Sequence, residues 1–111
     1  MTVTIIPTPE FSRRFKQLAK KYHSLPQDYL VFSQELKKNP FQGDDLGGGV
    51  RKIRMAIHSK GKGKSGGARV LTLNVLVSDN ADVTLLTIYD KNEIDNVSDD
   101  YIRWLVNEAR K

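Results

Sequence analysis

The run Val70-Leu71-Thr72-Leu73-Asn74-Val75-Leu76-Val77 is the strongest constraint on this chain. It is almost continuously apolar and far too short to cross a bilayer, so it belongs at the centre of a sheet. Its surroundings extend the reading. Ser78 to Asp82 is a polar turn, and Val83 to Tyr89 is the next strand. Upstream, from Val50, the period is also two: Ile53, Met55 and Ile57 fall on one face, Lys52, Arg54 and Ala56 on the other. That pattern is a half-buried strand with a basic outer face, and the same alternation carries His58 onto the basic side.

The N-terminal half is helical. Thr2 to Ile6 is a short β-branched strand stopped by Pro7, and Thr8-Pro9-Glu10 supplies an N-cap, a first-turn proline and a first-turn acid. Phe11, Phe15, Leu18 and Tyr22 then form one apolar stripe. Ser24-Leu25-Pro26-Gln27 has capping-box spacing, and Leu25, Tyr29, Phe32 and Leu36 make a second stripe that Asn39-Pro40 ends. The short link predicts an antiparallel helical hairpin. Gly43 to Gly49 reads as a loop. Ser98-Asp99-Asp100 caps a last helix whose stripe is Ile102, Leu105, Val106 and Ala109. The expected order is β-α-α-β-β-β-α, an α+β domain over 1–111 with a mostly antiparallel sheet packed on the hairpin in two layers. A length of 111 residues suits one core.

Charge is distributed unevenly. The net charge is +5 and the pI about 9.6, which favours an anionic partner. Arg51 to Arg69 holds seven basic residues (Arg51, Lys52, Arg54, Lys60, Lys62, Lys64, Arg69) and no acidic one, whereas Asp79 to Asp100 holds seven acids and only Lys91. The absence of cysteine excludes disulfides, thiolate zinc sites and cysteine nucleophiles. Met1 to Ile6 has no basic leader, so the expectation is a cytoplasmic protein with no membrane association. The two histidines, His23 and His58, lack ligand spacing, and neither a metal site nor a cofactor is expected.

The stretch HSKGKGKSGGARV, residues 58–70, contains a literal G-x-G-x-x-G and the tail of a P-loop. Both nucleotide motifs require a helix directly after the glycines, because the phosphate rests on its N-terminal amides. Here a strand follows, which removes the nucleotide reading. Four cations within ten residues, next to a strand with a basic face, repel one another unless an anion relieves them. A nucleic-acid backbone is such an anion, and lysines on a solvated hairpin connection are the plainer alternative. Tyr89 offers a ring for base stacking or serves as a core or edge aromatic.

Three segments carry a family resemblance: Val50-Arg51-Lys52-Ile53-Arg54, then Lys60 to Val70 (KGKGKSGGARV), then Leu85 to Glu93 (LLTIYDKNE). Together they resemble the RelE/ParE toxin superfamily, nearest its RelE/HigB-like branch in bacterial toxin–antitoxin modules. The resemblance implies a compact RelE-like fold, a ribosome-dependent endoribonuclease acting on translated mRNA, and a cognate antitoxin as partner. It places catalytic candidates at Lys62, Lys64, Arg69, Tyr89 and Lys91 and an RNA contact at Lys60; the basic strand and the mouth of the loop add Arg51, Lys52, Arg54 and His58 as expected RNA contacts. The lysine loop is longer and richer in glycine than in familiar members, and Asp90 and Glu93 add negative charge beside it. Two other readings stand beside the nuclease: a ParE-type gyrase inhibitor sharing the fold, and an inactive nucleic-acid-binding relative.

RNA cleavage by 2′-hydroxyl attack needs a base, charge stabilisation at phosphorus and a proton for the leaving 5′-oxygen. His23, at the end of the first helix, fits a helix C-terminal contact, while His58 at the mouth of the loop fits an acid or base. A lysine crowded by cations is a better base than a free one, because neighbouring charge favours its neutral form. The expected division gives one loop lysine the role of base. Arg69 and a second lysine hold the phosphate, and Tyr89 orients the nucleotide and supplies a proton.

Overall fold

The computed structural model describes residues 1–61, 63–94 and 96–111. Strand β1 (Thr2–Pro7) leads into helix α1 (Pro9–Lys21) through Thr8. The Thr8 hydroxyl accepts the Phe11 N–H at 3.1 Å and donates to the Leu85 carbonyl at 2.8 Å, so one side chain caps the helix and fastens it to the sheet. Helix α2 (Leu25–Lys38) follows after a short turn. The capping box expected at Ser24 does not form. Ser24 is already helical in backbone (φ −78°, ψ −7°), and its hydroxyl donates to Asp28 instead of capping.

The apolar stripes of both helices meet one face of a five-stranded sheet of order β1-β5-β4-β3-β2. Strands β3 (Val50–Met55), β4 (Ala68–Val77) and β5 (Asn80–Asp90) are antiparallel neighbours, and β1 runs parallel to β5. Phe11, Leu18, Leu25, Phe32 and Leu36 bury against Ile53, Met55, Val70, Leu85 and Ile88. The α+β fold and the sheet-on-hairpin layering are as the pattern predicts. Helix α3 (Asp99–Ala109), capped by the Ser98 hydroxyl, covers part of the opposite face by setting Leu105 against Val50, Leu71, Leu73 and Leu86.

Two expectations about local structure are corrected. Within the segment read as a loop, Asp44–Gly47 is an edge strand, β2, antiparallel to β3, giving the order β-α-α-β-β-β-β-α. It carries no apolar alternation because all four residues are exposed; Asp44 opposite Lys52 and Asp45 opposite Arg51 provide charge pairs instead. The strand beginning at Val50 ends at Met55, and His58 opens a 3₁₀ turn (His58–Lys60), so alternation does not carry His58 onto the basic face.

One irregularity has large consequences. In the β4–β5 ladder Leu71 pairs with Thr87 and Thr72 with Leu85, leaving Leu86 as the extra residue of a bulge. Leu85 packs on the helical-hairpin side and Leu86 on the α3 side, while the Thr87 hydroxyl lies 3.0 Å from the Tyr101 hydroxyl of α3. Two consecutive residues therefore face α3, and the parity of the strand flips. Ile88 and Asp90 point to the hairpin; Tyr89 points to the α3 side.

Of the loop glycines, Gly67 is sterically required. A Cβ there would sit 2.1 Å from the Met55 carbonyl oxygen, whereas a Cβ on Gly63 meets nothing within 4 Å. Gly67→Ala should lower unfolding free energy by about 1–3 kcal/mol and Gly63→Ala by less than about 0.5 kcal/mol, as read from urea denaturation midpoints.

Candidate functional site

The flipped parity completes a row across three strands. Arg54 on β3 lies opposite Arg69 on β4, and Arg69 lies opposite Tyr89 on β5. All three occupy the α3-side face, at the end of the sheet where the glycine-lysine loop emerges. Lys52 shares this face one pair further along, opposite Leu71, and lines a cleft of about 480 Å³ with Arg103 and Val97.

Arg69 is buried, and its guanidinium donates to the carbonyls of Lys64, Ser65 and Ala68 at 3.1, 3.0 and 3.1 Å. Burial first, and then the charge of Arg54, hold its pKa below the usual guanidinium value, with Tyr89 and Asp44 pulling the other way. A guanidinium nonetheless stays charged at neutral pH. Two cations opposed across strands destabilise one another, and an anion placed between them removes that penalty. Tyr89 is 6% exposed, and its hydroxyl is buried without a hydrogen-bond partner among the described residues. Burial raises its pKa above 10, partly offset by Arg69, so the phenol is a protonated donor at neutral pH.

The other candidates are dispersed. Lys62 lies outside the described residues. Lys64 is exposed and reaches Glu35 of α2 at 3.0 Å, a solvated pair of small energetic weight. Lys91 is exposed just beyond β5, its N–H donating to the Gly67 carbonyl at 3.1 Å. Arg51 turns to the other side, donating to the carbonyls of Gln42 and Gly43. His58 keeps a ring 78% exposed but bonds through Nδ1 to Asp28 of α2 at 2.6 Å. Lys60 is turned inward. Its ammonium contacts the Asp90 carboxylate at 2.7 Å, and their side chains are only 6% and 1% exposed.

Asp90 also accepts the Tyr22 hydroxyl at 2.6 Å and the Asn92 N–H at 3.0 Å. It faces the helical hairpin, so its charge is not aimed at the Arg54–Arg69–Tyr89 row. Glu93 lies on the surface, 3.3 Å from Lys21. Sequence reading missed Tyr22, Ser24 and Asp28 as partners of the loop. Tyr22 had registered only as a stripe residue, and no local signal connects it with a carboxylate 68 positions away.

Among the described residues no helix is long and apolar enough to cross a membrane, and no cluster of His, Cys, Asp or Glu is grouped to hold a metal ion. Residues 11–111 match the family model for the RelE toxin of the RelE/RelB toxin–antitoxin system, and the chain belongs to that family. It is therefore a toxin of a toxin–antitoxin system, and membership implies an antitoxin partner of the RelB type.

Desolvation on its own would raise the Asp90 pKa, but the hydrogen bonds from Lys60, Tyr22 and Asn92 outweigh it and bring the value below 3.8. A depressed carboxylate contributes stability that is present above the unfolded value and lost as pH falls through the folded one. Stability should thus decline as the solution is acidified below about pH 4. In Asp90→Asn that decline should be shallower, from a lower starting point, when urea unfolding is followed from pH 7 to pH 2.

Proposed function

We propose that this toxin is an endoribonuclease that cuts mRNA on the translating ribosome, and that the Arg54–Arg69–Tyr89 row holds the scissile phosphate. The observation that carries this reading is the juxtaposition, on one face at one end of the sheet, of an exposed and a buried guanidinium with a phenol that has no hydrogen-bond partner among the described residues. In the reaction the RNA 2′-oxygen attacks phosphorus and the bond from phosphorus to the 5′-oxygen breaks. The products are a 2′,3′-cyclic phosphate and a free 5′-hydroxyl. Arg54 and Arg69 stabilise charge on the non-bridging oxygens, since donors aimed at developing charge in a desolvated site contribute most to rate. Tyr89, protonated at neutral pH, gives the leaving oxygen its proton. Lys62 or Lys64 takes the proton of the 2′-hydroxyl.

Lys52 and Lys91 flank this centre as contacts to neighbouring phosphates, without direct readout of bases. Nothing in the row positions a flexible RNA strand precisely, and the ribosome supplies that positioning, which can be worth many orders of magnitude in rate. Free RNA is accordingly a poor substrate. The antitoxin would silence the toxin in the cytoplasm by covering the same basic end.

Primer extension on an mRNA translated in vitro tests the proposal. Wild type should produce cuts only when ribosomes are present. Arg54→Ala and Arg69→Ala should each slow cutting by about 10²–10³-fold. Absence of cuts from wild type, or cuts at wild-type rate from both variants, would overturn the assignment. Loss of supercoiling activity by gyrase with translation intact would point to the ParE-type alternative.

A further inference from the structure

Lys60 was the first lysine of the loop and an obvious phosphate contact from sequence, yet its geometry is wrong for that task. Lysines that neutralise a polyanion keep the ammonium in water; this one is buried against Asp90. The two carboxylate oxygens of Asp90 are occupied by groups from three separate parts of the chain. Oδ1 takes the Lys60 ammonium at 2.7 Å and the Asn92 N–H at 3.0 Å, and Oδ2 takes the Tyr22 hydroxyl at 2.6 Å. The Lys60 ammonium also stands 5.6 Å from the centre of the Tyr22 ring. The Lys60 ammonium is thus committed to a carboxylate.

We infer that Lys60, Asp90 and Tyr22 form a latch that sets the position of the active-site loop, with Lys60 and Asp90 acting as positioning residues for cleavage and not as contacts to RNA. The inference rests on the nuclease reading above. Its physical basis is where the latch lies in the chain. Asp90 sits between Tyr89, which completes the site row, and Lys91, whose N–H holds the far end of the loop at Gly67. Lys60 stands at the near end. Beside it, the Ser24 hydroxyl accepts the Ser59 N–H at 2.8 Å, and Asp28 accepts the His58 N–H at 3.1 Å. Arg69 braces the middle through the carbonyls of Lys64 and Ser65. One carboxylate on the hairpin face thus connects both ends of the loop to the strand that bears Tyr89. A misplacement of about 1 Å at a reacting group can cost on the order of 10²-fold in rate.

The test uses the full chain with Lys60→Met, Asp90→Asn and the double change Lys60→Met/Asp90→Leu, because a buried ion pair replaced by apolar residues commonly keeps the fold. Three quantities are read: single-turnover cutting on programmed ribosomes, salt dependence of binding to a 2′-O-methyl RNA, and amide hydrogen exchange. Each single variant should lower the maximal cutting rate at least about tenfold, with half-saturation and salt slope as in wild type. The double variant should be no slower than the worse single one, as expected for residues acting through one interaction. Exchange should accelerate at Lys60, Gly61, Gly67 and Lys91 in all three, while β4 stays protected.

A drop of about one in the salt slope for Lys60→Met would make it a phosphate contact and overturn the latch. So would tighter RNA binding by Asp90→Asn, unchanged loop exchange, or a double variant that cuts at wild-type rate. If wild type itself does not cut, the nuclease reading fails, and the exchange data still decide whether the latch holds the loop.

Discussion

The bulge at Leu86 decides which side of the sheet does what. By turning both Leu86 and Thr87 toward α3, it shifts the last residues of β5 by one, so that Tyr89 joins Arg69 and Arg54 while Asp90 turns to the hairpin. Without that extra residue, the alternation running from Val83 and Leu85 would bury Tyr89 under α1 and leave Asp90 beside two arginines. A carboxylate there would add to Asp44, which already acts on Arg69 from β2, and further reduce the positive charge of the row. Bulges near functional sites commonly re-aim a side chain in this way, and here one bulge re-aims an aromatic donor and an acid at once.

The two faces consequently do different jobs with the same kind of residue. On the α3 side, cations stand in a row with Asp44 of β2 as a nearby acid: Arg54 exposed, Arg69 buried and bonded to carbonyls, Lys52 beside them and opposite Asp44. On the hairpin side, cations are spent on structure. Arg51 closes the connection after α2, and Lys60 fills the pocket made by Asp90 and Tyr22. The helical hairpin is thus more than a cover for the core, because its turn provides Tyr22, Ser24 and Asp28, which fix the start of the loop.

Much of this fold was legible in the residues. The helical stripes, the Thr8 and Ser98 caps, the central strand and the strand after it all follow from local pattern, because each depends on burial or capping within a few positions. Strand β2 was not legible, since an edge strand with every residue exposed carries no period to detect. The bulge was not legible either: Leu85-Leu86-Thr87 has nothing to mark a break in alternation, and only the pairing with β4 reveals it. At the site, the basic stretch from Arg51 to Arg69 reads as one patch in sequence but divides by strand parity and by the 3₁₀ turn at His58. Arg54, Arg69 and Tyr89 are united by register. Asp90 had seemed a hazard to the site because its partners are 30 and 68 residues away in the chain.

The proposed cleavage turns on the position of one phosphate. The most direct measurement is a cryo-electron microscopy map of the toxin on a ribosome carrying mRNA with a 2′-O-methyl group at the cut site, which blocks attack without changing the backbone. The expected map has the scissile phosphate within hydrogen-bond distance of both Arg54 and Arg69, with the Tyr89 hydroxyl directed at the 5′-oxygen and Lys60 still paired with Asp90. A phosphate seated instead among His58, Lys60 and Lys64, with the arginine row facing away from the RNA, would contradict it.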